Sequence, residues 1–451
     1  MKLTFAGGAQ QVTGSCYLLE DKGTKVLVDC GLNQGDSALE EQNFEPFLFN
    51  PSEIDALFVT HSHIDHIGRI PKLAKEGFRG TIYSTPPTKD EAYELLLDTI
   101  HLMQHEAQEG QPLLYDVSDL DLAMSLWKPV KYHNEFLVKN FKVEFYNSGH
   151  ILGSASIKIT NDEGKVIVFS GDLGNIPAPL VRDTEYFDYA DYALVESAYG
   201  NRVHESVAER KEILEDLIED TFKSGGTLLI PAFAMERTQE LLFELNDLVL
   251  NKRIPRVPIF IDSPLAIRLT SIYRKYEGNA DYFDTEALMM MKGEKNIFDF
   301  PGLRFTLTKE ESKEINEIPP PKVIIAGSGM SNGGRILFHE IRYLPDPKST
   351  ILFVGFQSEG TLGRKILQGA SEVQIMGQKV PVRCRVKAIG GYSAHADQPL
   401  LLKWVGSMRQ TLKKVFVVQG EPDQSQPLAS KIKDMFAVEA IVPQKGQTFE
   451  L

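Results

Sequence analysis

The run His61-Ser62-His63-Ile64-Asp65-His66 places four metal-ligand side chains within six residues. Imidazoles and carboxylates are the donors that zinc and related divalent ions take. Their spacing divides the labour. His61 and His63 point the same way from an extended turn, while Asp65 and His66 turn toward a second position. One loop can therefore feed two adjacent ions, and the chemistry such ions support is metal-assisted hydrolysis.

Other groups of the same kind are scattered along the chain. Asp29 stands in VLVDCG, His150 in NSGHILGSAS, Asp172 in VFSGDLG and Glu196 in VESAYGNR. His395 lies in the turn GYSAHAD. The Gly-rich segment Ala326-Gly-Ser-Gly-Met-Ser-Asn-Gly-Gly-Arg335 offers backbone N–H groups ahead of a helix, an arrangement that can cradle a phosphate. His101 and His105 stand four residues apart on a helical stretch without a third ligand nearby in sequence, and read as an ordinary helix face. His133, His204 and His339 take no assignment, although His204 is close to Glu196 in sequence.

The elements that would position these groups follow from periodicity. Lys2–Ala6, Ser15–Leu19, Lys25–Asp29 and Ala56–Thr60 read as strands, the last ending on the histidine cluster. Pro71–Glu76 and Glu91–Gln108 read as helices. Phe141–Tyr146, Ala155–Thr160, Lys165–Ser170 and Tyr192–Val195 read as further strands. After about residue 205 the pattern becomes β-α-β-α. Helix Ser206–Lys223 is followed by strand Thr227–Pro231, helix Thr238–Leu250, strand Pro258–Asp262 and helix Ala266–Tyr276. Strand Lys322–Ala326, helix Gly334–Ile341 and strand Thr350–Val354 continue it. That alternation predicts a parallel sheet with helices on both faces. From about 385 short strands return at Val386–Ala388 and Val415–Val418, with helices around Gln398–Met408 and Leu428–Met435. The layout predicts one domain interrupted by another: residues 1–205 and 385–451 form an α/β host, and 206–384 a Rossmann-like insertion.

With 451 residues, 42% hydrophobic and 24% charged, the chain has globular composition. Disordered, collagen-like and disulfide-scaffold classes are excluded. No apolar run approaches the ~20 residues that span a bilayer, and MKLTFAGGAQ lacks the pattern of a secretory signal. Three scattered cysteines fit a reducing, cytoplasmic location. Net charge is 48 − 62 = −14, which alone argues against a nucleic-acid partner. From Pro321 to Lys387, however, ten Lys/Arg face four acids, a local +6. It reads equally as a solvated face or a binding patch.

HSHIDH after the strand ALFVT resembles the HxHxDH signature of the metallo-β-lactamase fold. VLVDCG, NSGHILGSAS and VFSGDLG resemble its first, third and fourth motifs in the expected order. VESAYGNR, PAFAMERTQEL, FIDSPLA, AGSGMSNGGR and GYSAHAD resemble the β-CASP group of RNA- and DNA-processing nucleases. The similarity is greatest to bacterial and archaeal ribonucleases related to the endonuclease subunit of the cleavage and polyadenylation specificity factor. It covers essentially the whole chain. The implied architecture is an αββα sandwich with an inserted Rossmann-like β-CASP domain.

The resemblance implies a residue-by-residue division of roles. One zinc is held by His61, His63 and His150, a second by Asp65 and His66, and Asp172 bridges both. Manganese is an alternative metal. Two ions ~3.5–4 Å apart can share a water and deprotonate it, and the resulting hydroxide attacks phosphorus in line. Asp29 orients the histidines from behind. Asp65 and Asp172 are counted with the catalytic set, with His395 protonating the leaving ribose oxygen and Glu196 keeping it charged. The implied substrate is single-stranded RNA lying in a cleft between host and insertion, cut endo- or exonucleolytically, by a protein acting alone or as a homodimer. Ser263, Arg268, Arg274, Ser328, Arg335 and Arg364 are the candidate phosphate contacts; Arg237 and Asp262 also stand at strand ends.

One position departs from the pattern. The tail reads VFVVQGEPDQS, where the family pattern has histidine before Gly-Glu-Pro as a ligand to the second metal. This chain has Gln419, a neutral amide and a poor zinc ligand. Three readings stay open: a natural variant with a weak or empty second site and low activity, an introduced inactivating substitution, or an RNA-binding subunit that no longer cuts. A thioester or lactam hydrolase on the same metal centre is the remaining alternative. The long insertion and the Glu196/His395 pair argue against it, since small substrates need neither.

Overall fold

The strand Lys414–Val418 shows how the first part of the molecule is built. Its side chains alternate between two cores: Phe416 and Val418 face one, Val415 and Val417 the other. A strand buried on both faces must lie inside a layered structure, and its near-continuous apolar run reflects that. The computed structural model describes residues 1–35, 37–107, 112–204, 210–292, 296–355, 357–389 and 393–451. These fall into two compact units, Met1–Val203 with His395–Leu451, and His204–Ala394.

The first unit is a two-sheet sandwich. One sheet runs in the order Thr448–Glu450, Lys2–Gly7, Cys16–Asp21, Thr24–Val28, Ala56–Phe58, Thr81–Ser84 and Trp127–Pro129. Its first four strands pair antiparallel and the rest parallel. The other sheet runs Glu439–Ile441, Lys414–Val418, Tyr192–Glu196, Val166–Phe169, Ala155–Asn161, Phe141–Asn147 and Phe136–Val138. Phe5, Leu19, Val28 and Phe58 of the first sheet share a core with Phe145, Ile157, Phe169 and Phe416 of the second. Helices Gln398–Ser407 and Pro422–Phe436 cover the second sheet's outer face through Leu401, Trp404, Leu428 and Ile432. Helices Ile70–Lys75, Pro86–Glu106 and Val117–Ser125 pack together beside the first sheet. This is the expected αββα arrangement.

The second unit carries a six-stranded, all-parallel sheet. Its order is Leu303–Phe305, Ile259–Asp262, Lys322–Ala326, Thr227–Pro231, Thr350–Phe353 and Arg385–Ala388. A separate hairpin, Glu372–Ile375 with Gln378–Pro381, turns at Met376-Gly377, both in the left-handed region that tight hairpin turns require.

Several expectations shift. The strand expected at Val386–Ala388 is placed by the sequence in the host, but the observed strand Arg385–Ala388 extends the second unit's sheet by pairing with Thr350–Phe353. Four residues of strand pattern do not say which sheet they join, and the first unit resumes only at His395. The helix expected from Ser206 is described over Arg210–Ser224, and residues 205–209 lie outside the described residues. So do Gln108 and the Gly391-Tyr392 start of the GYSAHAD turn. The last helix starts at Pro422, six residues earlier than its apolar pattern suggests. Among the described residues no helix is long and apolar enough to cross a membrane.

Candidate metal centre

Strand ends of both sheets in the first unit deliver the expected ligands to one edge of the sandwich. Ala56–Phe58 runs into Thr60 and His61, and Phe141–Asn147 ends just before His150. Val166–Phe169 leads to Asp172, Tyr192–Glu196 ends on Glu196, and Lys414–Val418 ends just before Gln419. Close approach at this edge demands glycine. A Cβ on Gly171, at φ 58°, would come within 2.8 Å of the Thr60 Cβ. One on Gly174 would lie 1.8 Å from the Gly149 carbonyl oxygen.

Four atoms converge there. His63 Nδ1 is 3.1 Å from both His61 Nε2 and His150 Nε2. Asp172 Oδ2 is 3.4 Å from His61 Nε2 and 3.6 Å from His150 Nε2. Ligands ~2.0–2.1 Å from a tetrahedral ion lie about 3.3 Å apart, so this donor set fits one divalent metal. Burial holds the His63 imidazole down at about 4 and the His61 imidazole well below its ordinary value. Both rings are therefore neutral at pH 7, the form that ligates.

Behind the ligands, Asp29 and Thr60 set ring orientation. Asp29 is buried, in a left-handed conformation at φ 58°. Its Oδ2 accepts from His66 Nδ1 at 2.8 Å and from Thr60 Oγ1 at 2.9 Å, while its Oδ1 accepts the Thr60 N–H at 2.8 Å. Because the Thr60 hydroxyl proton goes to Asp29, its oxygen accepts from His61 Nδ1 at 3.1 Å. The Nε2 atoms of His61 and His66 are thus left facing the centre. Thr60 was not singled out in the sequence; its only signal there was adjacency to His61. Ser62, inside the histidine run, donates to the buried Glu91 at 2.6 Å, a tie the sequence did not signal.

The second position differs. Asp172 Oδ1 is 3.3 Å from His66 Nε2, and Asp65 Oδ2 is 3.8 Å from it. Gln419 Nε2 donates to Asp172 Oδ1 at 2.7 Å and lies 2.9 Å from His66 Nε2. The amide nitrogen engages the two atoms a second ion would need. Gln419 is buried, and at φ 51° it is anchored by its N–H to the Gly8 carbonyl.

A third grouping adjoins the first. His395 Nδ1 is 3.3 Å from Glu196 Oε2 and 3.7 Å from Asp172 Oδ2. A bridge between Gly174 and His395, and Ala396 N–H to the Leu173 carbonyl at 2.7 Å, fix the histidine's backbone. Glu196 is fully buried and also accepts the Leu173 N–H at 2.7 Å. Burial works against a charge on His395, but Glu196, then Asp172 and Asp65, outweigh it and push the imidazole up to about 9. At neutral pH it is a charged proton donor.

The expected phosphate contacts fare unevenly. Arg335 is committed internally, donating to Asp262 Oδ1 at 2.7 Å and to the Thr306 and Leu307 carbonyls at 2.9 and 2.7 Å. Arg274 donates to the Phe298 carbonyl and stacks over the Phe305 ring. Ser328 Oγ itself accepts the N–H groups of Asn332 and Gly333, at 3.0 and 3.2 Å, so two of the Gly-rich turn's donors are taken within the turn. Local partners thus engage part of each of these three groups. Ser263 caps the helix Pro264–Lys275 by accepting the Ala266 N–H. Arg268 and Arg364 are half-buried.

The fold and its metal-ligand edge define a metallo-β-lactamase-type hydrolase. Residues 9–198 match the metallo-β-lactamase superfamily, 238–366 the β-CASP domain, and 379–443 the Zn-dependent metallo-hydrolase RNA specificity domain. The chain is 38% identical over 424 residues to Ribonuclease TTHA0252 of Thermus thermophilus, covering 94% of each protein. It is 33% identical to an RNase J-like protein of Methanocaldococcus jannaschii, covering 98% of each. It is 31% identical to the transcription termination factor FttA of Methanosarcina mazei, covering 97% of this chain and 70% of that protein. The fold is shared with a crystal structure of a protein of unknown function from Enterococcus faecalis V583, with a TM-score of 0.57, 12% identity, and 100% and 99% of the two chains covered. The chain belongs to the β-CASP ribonuclease family of the metallo-β-lactamase superfamily, a family of metal-dependent hydrolases.

Proposed function

We propose that this chain is a zinc-dependent ribonuclease that hydrolyses phosphodiester bonds of single-stranded RNA, with Gln419 limiting occupancy of a second metal position. The observation that carries it is the convergence of His61, His63, His150 and Asp172 beside a charged His395–Glu196 pair. Ligands alone would suit many hydrolyses. A half-buried acid paired with a buried carboxylate suits a reaction whose leaving group is a poor, basic alkoxide.

His61, His63, His150 and Asp172 would hold one zinc; Asp65, His66 and the other oxygen of Asp172 would hold a second zinc or a manganese. When bound, the metal supplies Lewis-acid stabilisation of the phosphoryl oxygens and activation of water. Asp29 and Thr60 keep the ligand rings aimed. His395 gives up a proton as the bond from phosphorus to the ribose oxygen breaks. Its Nδ1 faces Glu196, so that proton leaves from Nε2. Glu196 holds the positive charge on the ring until then. Ser263, Arg268 and Arg364 are the remaining candidate RNA contacts. An RNA substrate and three free thiols fit a cytoplasmic site of action.

RNA as substrate is supported by the RNA-specificity description of residues 379–443 and by the relatives' names. Gln419 favours a second reading, an RNA-binding protein that does not cut. Incubating a 5′-labelled single-stranded RNA with the zinc-loaded protein, with and without EDTA, tests the proposal. Shortened, EDTA-sensitive products support the nuclease; RNA that stays bound and intact, even after Gln419→His, supports the binding protein.

A further inference from the structure

Phe233 follows the strand Thr227–Pro231 by two residues and is 43% exposed. A single exposed apolar residue is ordinary on a protein surface. Its setting is not. A Cβ on Gly329 would come within 2.7 Å of the Phe233 ring, and one on Gly355 would lie 3.5 Å from it. The ring is seated on bare backbone at Gly329, where any side chain would have to displace it, and borders Gly355. The Phe233 carbonyl accepts the Thr238 hydroxyl at 2.7 Å, and Ala232 N–H donates to the Ala326 carbonyl at 3.0 Å. The Gln357 amide then ties the Gly329 and Gly355 carbonyls together, at 3.0 and 3.1 Å. Both the ring's support and its own backbone are thereby held in place.

The location is equally specific. From Thr227–Pro231 the chain moves through helix Arg237–Leu250 to Ile259–Asp262, two places to one side in the sheet. From the adjacent strand Lys322–Ala326 it moves through helix Ile336–Tyr343 to Thr350–Phe353, two places to the other side. Parallel crossovers are right-handed, so these helices cover opposite faces and the two exit loops part. At such a switch point, outside the carboxyl ends of the strands, open α/β sheets bind their ligands. Phe233 and Gly329 are the residues that meet there.

We propose that Phe233 is a stacking platform for one base of a single-stranded nucleic acid. A ring supported by glycine backbone along its Cδ2–Cε2 side and still 43% exposed matches a flat heterocycle better than an aliphatic side chain, which needs a wider apolar patch. Stacking is sequence-tolerant because every base has a π face. The proposal rests on the ribonuclease reading above and adds a binding residue to it, in the second unit.

Binding of a fluorescein-labelled oligoadenylate, read by anisotropy in EDTA so that nothing is cut, tests it with the full chain. Phe233→Leu should weaken binding roughly 5- to 150-fold, the range for loss of one base–aromatic stack. It should leave affinity for an abasic oligomer of equal length unchanged. Phe233→Trp should retain affinity. Trp127 and Trp404 are buried, so the indole placed at 233 reports on the open surface, and oligoadenylate should quench its fluorescence. Thermal unfolding of the leucine variant confirms that it is folded. If wild type binds and cuts RNA while Phe233→Leu binds equally well, or if the Phe233→Trp signal does not change, the platform is wrong and the ribonuclease reading stands. If wild type does not bind RNA, both fall.

Discussion

Gln419 Nε2 donates to Asp172 Oδ1 at 2.7 Å and lies 2.9 Å from His66 Nε2. A neutral amide thus engages the carboxylate oxygen and the imidazole nitrogen that a second metal ion would require. The other carboxylate oxygen of Asp172 faces His61 and His150 and is unaffected. The two halves of one aspartate therefore have different fates: one belongs to a set of ligands fit for an ion, the other to a hydrogen-bonded side chain.

Metal content follows from this. The protein loaded with zinc and desalted should carry about one ion per chain, since a complete three-His set with a carboxylate is a tight site. Gln419→His should carry two. Elemental analysis of both proteins checks it. Two retained zincs in the unsubstituted protein would show that Gln419 does not exclude the second ion.

The His395–Glu196 pair makes a prediction in pH. His395 is pushed up to about 9 and must be protonated to donate, so cleavage should decline as pH rises through about 9. Glu196→Gln removes the carboxylate that holds the ring charged, and should move that alkaline limb to lower pH. His395→Ala should slow cleavage by roughly 10²- to 10⁴-fold, the usual range for a lost general acid. Zinc content should be unchanged in both. A limb that stays in place in Glu196→Gln would assign it to another group.

Glu340 gives a stability prediction in the second unit. Its carboxyl is buried, accepts from Ser331 and leaves Oε2 without a partner among the described residues. Burial pushes it up to about 8, against an ordinary 4.5. Between those values the folded state holds a proton that the unfolded chain has released, so this group costs stability progressively as pH rises. Glu340→Gln cannot ionise. Its stability relative to wild type should increase from pH 5 to pH 8, measured by urea unfolding at each pH. A difference independent of pH would contradict the protonated carboxyl.

Much of this was legible in the residues. The HSHIDH run and the strand before it located the ligand loop, because ligand chemistry and strand alternation are both local. His150, Asp172, Glu196 and His395 were legible only through their motif contexts, since sequence spacing says nothing of which strand ends meet. Support from Thr60 and the Ser62–Glu91 tie depended on tertiary approach and left no pattern. The local partners of Arg335 and Ser328 were hidden for the same reason: sequence near a Gly-rich turn shows neither Asp262 nor the loop's own N–H groups that these side chains meet. The early start of the last helix was hidden by Pro427, which removes an N–H inside a helix begun by a capping box at Glu421.

Cleavage of a 5′-labelled single-stranded RNA by the zinc-loaded protein and its Gln419→His variant tests the account most directly, with Asp172→Asn in the variant as control. The account predicts slow, EDTA-sensitive cleavage by the unsubstituted protein, a large acceleration with histidine at 419, and none once Asp172 is also replaced. Equal rates from the first two would show that Gln419 does not limit the site. Intact RNA in all three would contradict the ribonuclease itself.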